Sequence, residues 1–191
     1  MAKNLICDIG VNDADYSVEF RSGSKKVICP IYRKWRDMIH RCYSKKAKER
    51  DQCYKDVSVC NEWLKFSNFK AWMQQQDWEG KELDKDLLVD GNKVYSPESC
   101  VFVDRVINVF LTDSALSRGS YLIGCYFDKQ LLKFRARCSN PFSKKLESLG
   151  LYGSELDAHL AWKKRKHELA CQLADLQTDE RVAKALRYRY A

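Results

Sequence analysis

Two groups of residues in this 191-residue chain carry side chains and spacings suited to chemistry. The first is Asp84-Lys85-Asp86, with Asn108 further along. Carboxylate and carboxamide oxygens suit hard cations such as magnesium or manganese. Hydrolysis of a phosphodiester needs such a cation and a base for the attacking water. A lysine is a poor base unless its pKa is depressed. A neighbouring metal would lower the pKa of Lys85 and the flanking carboxylates would raise it, so the sequence leaves the sign open. In an extended strand Asp84 and Asp86 share one face and Lys85 takes the other. The second group is Lys133, Arg135 and Arg137, which alternate with Leu132, Phe134 and Ala136. On a strand the cations project from one face and the apolar residues from the other. The run Lys163 to Lys166 circles a helix instead and is expected to be solvated.

The elements that must position these residues follow from periodicity. Residues 1 to 30 mix short apolar pieces with Asn-Asp and Ser-Gly-Ser breaks, and read as an irregular arm or weak hairpin. Pro30 opens a helix whose apolar face is Ile31, Trp35, Met38, Ile39 and Cys42, with Arg33, Lys34, Arg36 and Arg41 opposite. A second helix is expected over 61–78, its stripe of Trp63, Phe66, Phe69, Trp72 and Met73 forming core. Next come a strand, a loop turning at Asp90-Gly91-Asn92, a second strand and a short helix from about Asp104 to Leu111. The small, polar stretch 114–120 marks a boundary. Beyond it lie strands over 122–127, 132–138 and 145–149. Ser154 and Asp157 then make a capping box opening a helix with Ala158, Ala161, Trp162, Leu169 and Leu173 on one face. The tail from Gln177 is expected to be helical and loosely held. The class is α+β, divided into 1–113 and 114–191.

Charge separates the two parts. Residues 1 to 113 hold 19 basic and 18 acidic side chains, whereas residues 114 to 191 hold 15 and 8. A small domain with a net +7 favours a polyanion through phosphate neutralisation and counterion release. The chain is 45% apolar and 31% charged, which excludes a collagen-like or disordered class. No run approaches the roughly 20 apolar residues of a membrane span. The start shows no secretory pattern, so a cytoplasmic protein is expected. Nine cysteines occur without a CxxC pair; reduced thiols are expected and structural zinc is not.

The strand, loop, strand and helix over about 82–111 resemble the ββα-metal finger of the HNH nucleases. The matching positions are Asp84 for the metal-binding acid, Gly91-Asn92-Lys93 for the loop, Ser99 to Val103 for the second strand and Asn108 for the helix ligand. Lys85 stands where that family has its histidine, and His40, His159 and His167 lie outside the motif. Over about residues 27–175, the strings YRKWRDMIHRCY, VCNEW, LDKDLLVDGNKVYSPESCVFV and a basic three-strand module are similar to phage-encoded HNH homing endonucleases, a set with members that also carry LDKD in place of a His-containing strand. The pieces IGCYFDKQLLKFRARC and LESLGLYGSELDAHLAW resemble the ethylene-response-factor type of DNA-binding domain, whose three-stranded sheet on a helix enters the major groove.

These resemblances imply a metal-dependent, sequence-directed endonuclease that nicks or cuts duplex DNA with magnesium or manganese, in a bacterial host's cytoplasm if phage-encoded. The catalytic set they imply is Asp84, Lys85, Asp86, Asn92 and Asn108, with Asp84 and Asn108 on the metal. Either the carboxylates hold the metal while Lys85 touches phosphate, or the finger has lost catalysis. The implied DNA contacts are Arg118, Tyr126, Lys133, Arg135, Arg137 and Lys144, since arginines on a strand take base edges and phosphates. The alternative is a catalytically inactive DNA-binding protein, a regulator or anti-defence factor.

Overall fold

The computed structural model describes residues 5–112 and 120–191. It is an α+β chain dividing into two compact units, Met1–Val103 and Asp104–Ala191.

The N-terminal unit begins with two short hairpins, β1 (Leu5–Ile6) with β2 (Gly10–Val11) and β3 (Glu19–Ser22) with β4 (Lys25–Ile28). Helix α1 (Pro30–Tyr43) follows, with Pro30 in the first turn, where a missing N–H costs no helical bond. Its apolar face, Ile31, Trp35, Met38, Ile39 and Cys42, is buried as the spacing predicts. The opposite face is less solvated than its charge suggests. Lys34 Nζ donates to the Lys81 carbonyl at 2.5 Å, and Arg36 pairs with Glu19 at 3.1 Å. After α2 (Lys45–Arg50), the strand β5 (Ser58–Val59) pairs in parallel with β7 (Val94–Tyr95).

The single helix expected over 61–78 is broken. A 3-10 turn covers Asn61–Leu64, Lys65 is extended at φ −95 and ψ 130, and α3 runs only over Phe66–Met73. Lys65 instead bridges to Val11, and the break lets Trp63 meet Trp72 at 4.5 Å while its carbonyl accepts from Trp35 Nε1 at 2.7 Å. The stripe is core all the same: Trp63, Phe66, Phe69 and Met73 are buried. Strand β6 (Glu82–Asp84) pairs antiparallel with β8 (Val101–Val103), placing Asp84 opposite Val101.

In the C-terminal unit, α4 (Arg105–Leu111) precedes an antiparallel meander of β9 (Cys125–Asp128), β10 (Lys133–Ser139) and β11 (Leu146–Tyr152). Helices α5 (Glu155–Asp175) and α6 (Glu180–Arg189) complete it. The division at 103/104 precedes the boundary read from the sequence because α4 shares this unit's contacts: Phe110 meets Tyr190 edge-on at 5.9 Å, and its carbonyl accepts from Lys166. Cys125, Ala136 and Cys138 are buried on the sheet's inner side, and Ala158 of α5 is buried with Cys125 and Ala136. Ser154 caps α5 by accepting from the Asp157 amide at 3.1 Å. Gly124 enters β9 at φ +86, and a Cβ there would stand 1.9 Å from Trp162 Cγ. Leu149 is an extra residue on β11, since Ala136 faces Gly150 while Arg137 faces Ser148. Such a bulge increases local twist.

Two expectations change here. Leu132 is not on the apolar face; it sits in the β9–β10 turn at φ +50 and is 75% exposed. The tail is firmly packed, with Val182, Ala183 and Leu186 of α6 buried. None of the nine cysteines is in a disulfide; Cys42, Cys100, Cys125 and Cys138 are buried and Cys53 is exposed.

Candidate functional site

The Asp84 loop is built by its own side chains. Strand β6 ends at Asp84, so the strand alternation that would put Asp84 and Asp86 on one face does not extend to Asp86. Asp84 Oδ1 accepts from the amides of Asp86 at 2.8 Å and Leu87 at 2.7 Å, turning the chain. Burial raises the Asp84 carboxyl above its ordinary value, and those two amides offset part of the rise. Asn92 closes the other end of the loop. Its Nδ2 donates to the carbonyls of Lys85 at 2.8 Å and Val94 at 2.7 Å, and its Oδ1 accepts from the Val94 amide at 3.2 Å. Gly91, at φ +69, supplies the left-handed turn that leads into it.

Lys85 lies inside this loop, 8% exposed. Its Nζ donates to Asp86 Oδ1 at 2.5 Å and to the Asn92 carbonyl at 3.1 Å. It stands 6.0 Å from the centre of the Tyr95 ring. Burial pushes the Tyr95 phenol far above its usual range. Both Lys85 contacts use the amine as donor, the reverse of what a base requires. Asp84, Lys85, Asp86 and Asn92 are therefore one constellation. Asn108 is half-buried on α4 of the other unit, its carbonyl accepting from Thr112 Oγ1 at 2.9 Å. Among the described residues no group of three His, Cys, Asp or Glu side chains is arranged to hold a metal.

The sheet presents the second constellation. Pairing of Ala136 with Cys125 and of Arg135 with Tyr126 puts Tyr126, Asp128, Lys133, Arg135 and Arg137 on the outer face. Lys133 and Arg137 are exposed. The Arg137 guanidinium carbon lies over the Tyr126 ring, 4.9 Å from its centre, a cation–π contact that restrains the side chain. Arg135 differs: it pairs with Asp128 Oδ2 at 2.9 Å, and its Nε is buried without a partner. Lys144 is exposed at the β10–β11 turn at φ +57, following the turn in which Asn140 Oδ1 accepts from Phe142 and Ser143. Arg118 lies outside the described residues.

The run over 163–166 is not uniformly solvated. Arg165 bonds Glu147 at 2.7 Å and Glu168 at 2.9 Å; Arg165 and Asn140 hold the Glu147 carboxyl down at about 2. Lys166 is 8% exposed, and burial lowers its amine to about 8. The signal was in the spacing: Lys166 falls between Trp162 and Leu169 on the apolar stripe of α5. No helix among the described residues is long and apolar enough to cross a membrane. Comparison of the chain with family profiles, characterised proteins and solved structures gives no match.

Proposed function

We propose that this chain is a sequence-directed DNA endonuclease in which the C-terminal sheet reads duplex DNA and the Asp84 loop serves metal-dependent hydrolysis. The observation that carries the reading is the outer sheet face, where Lys133, Arg137 and Tyr126 are displayed on a unit holding 16 basic and 10 acidic side chains. An exposed guanidinium over an aromatic ring on a strand suits base edges in the major groove, the mode of the ethylene-response-factor sheets. Lys144 extends the cationic surface toward phosphates, and Arg135 acts by fixing Asp128 and the neighbouring turn.

The hydrolytic half of the reading rests on Asp84. Its Oδ1 is committed to the turn, and its Oδ2 accepts no hydrogen bond from the described residues, which leaves a hard oxygen for magnesium or manganese. Such a cation would supply neutralisation of phosphate charge. Asn92 and Asp86 hold the loop and Lys85 in place. With its amine committed as a donor, Lys85 serves as a phosphate clamp that exchanges a present contact for a phosphate oxygen. A second reading, DNA binding without turnover, is favoured by that same donor commitment.

One experiment separates them. Supercoiled DNA carrying the target is expected to be nicked in magnesium or manganese, with activity lost in chelator and in Asp84→Ala while gel-shift affinity is retained. Lys85→Ala should abolish nicking if the amine clamps phosphate. Tight binding with no nicking by the native protein in either metal selects the second reading. For the reader, Lys133→Ala and Arg137→Ala should each weaken target binding more than non-target binding, by about 1–3 kcal/mol for a base contact. Equal loss on all sequences would reduce both to phosphate contacts.

A further inference from the structure

The C-terminal unit contains an open cavity of about 290 Å³ whose lining includes no residue of β9, β10 or β11. Its lining carries three cations, Lys163 and Lys166 of α5 and Arg189 of α6, beside the polar His159, Thr112 and Tyr190. We propose that this cavity is a phosphate-binding site, separate from the DNA-facing sheet surface.

The argument starts from Lys166. Its Nζ donates to the Phe110 carbonyl at 2.5 Å, lies 3.6 Å from the centre of the Phe110 ring and 5.5 Å from that of Tyr190. Among the described residues no carboxylate pairs with it or with Lys163. A buried ammonium that meets only a carbonyl and ring faces carries a desolvation cost without a counter-charge. Burial accordingly lowers its pKa. An anion in the cavity would supply the missing charge, with Lys163 and Arg189 on the same walls.

The chemistry also says which part of a ligand is recognised. Trp162 is 7% exposed, stacked with His159 at 5.5 Å and edge-on to Tyr190 at 5.8 Å. Those contacts leave little aromatic face for a nucleobase, so the cavity recognises the phosphate and tolerates what is attached to it. His159 Nδ1 donates to the Ile123 carbonyl at 2.8 Å, which fixes the ring against Trp162. The cavity lies at the small end of the range for ligand sites, enough for a phosphate and a sugar.

The phosphate has two possible sources, a free phosphorylated compound or the backbone of a nucleic acid, and titration distinguishes them. Calorimetric titration of the full chain with inorganic phosphate and with deoxyadenosine monophosphate is expected to saturate. Lys166→Met and, independently, Lys163→Ala should each weaken that binding about tenfold or more. Arg137→Ala, on the sheet, should leave it unchanged, so failure of the reader and failure of this site give different results. Circular dichroism melts confirm that each variant is folded. If duplex affinity is unaltered while nucleotide binding falls, the ligand is a free phosphate compound. If duplex affinity also falls and its salt slope drops by about one, the phosphate belongs to DNA. If neither the phosphate titrations nor DNA binding respond to Lys166→Met and Lys163→Ala, the proposal is overturned.

Discussion

Two lysines of this chain are 8% exposed, and they are buried for opposite reasons. Lys85 has a carboxylate partner in Asp86 and a carbonyl in Asn92, so its loop compensates the charge it encloses. Lys166 has a carbonyl in Phe110 but no carboxylate among the described residues, and its amine is lowered to about 8 from 10.5. A folded-state pKa below the unfolded one means that the unfolded chain holds more protons between those values, so stability rises as pH climbs from about 8 to 10.5. Lys166→Met is therefore expected to be more stable than the native chain at pH 7, by about 1–3 kcal/mol in urea denaturation. The advantage should shrink as pH rises through that window; an advantage that stays constant to pH 10.5 would show that the amine's charge is not the cause. Lys166 was misread because four adjacent cations look alike in composition. Only its register with Trp162 and Leu169 distinguishes the one that turns inward. The Asp84 loop was legible as a group, since Asp84, Lys85, Asp86 and Asn92 do come together. The donor role of Lys85 was not, because it depends on a carbonyl seven residues away whose position is set by the turn at Gly91.

The elements of the C-terminal unit depend on a close approach of α5 to the sheet. Ala136 and Ala158 are fully buried, and Gly124 passes against the Trp162 ring. Gly124→Ala must meet both a left-handed backbone at φ +86 and a Cβ 1.9 Å from Trp162 Cγ. Because the obstacle is a ring near its own backbone, it has little room to move. The expected loss is about 3 kcal/mol or more in chemical denaturation. A loss below about 0.5 kcal/mol would mean that α5 shifts freely on the sheet. The strands themselves were legible from alternation, and β10 begins one residue later than expected because Leu132 belongs to the turn. The bulge at Leu149 was not legible, since nothing local distinguishes an extra residue before Gly150 from an ordinary strand position. The helix over 61–78 was overextended for a related reason. Its aromatic spacing is satisfied equally by a 3-10 turn followed by α3, and the tertiary bridge of Lys65 to Val11 accompanies the break.

At the scale of the molecule the charge is partitioned with the units. Met1–Val103 holds 18 basic and 16 acidic side chains, against 16 and 10 in Asp104–Ala191. Gel-shift affinity of the full chain for duplex DNA is therefore expected to fall linearly on a log–log plot against salt, with a slope of about −0.9 for each phosphate neutralised. Salt-insensitive binding would remove the electrostatic basis of the proposed function. The cysteines extend the partition into a kinetic readout. Cys42 and Cys100 are buried in one unit, and Cys125 and Cys138 in the other. Burial raises the thiols of Cys42 and Cys100 to about 12. A thiol that is both shielded and protonated reacts with an alkylating reagent only when its surroundings open. Cys53 is the exposed one, and its own rise to about 11, from burial and the neighbouring Asp51, slows it at neutral pH without sheltering it. Mass spectrometry of partly alkylated protein should find Cys53 modified before the buried pairs, each pair at a rate set by its own half of the chain. The thiols thus serve as two internal clocks, timing how often each unit opens without any label having been introduced.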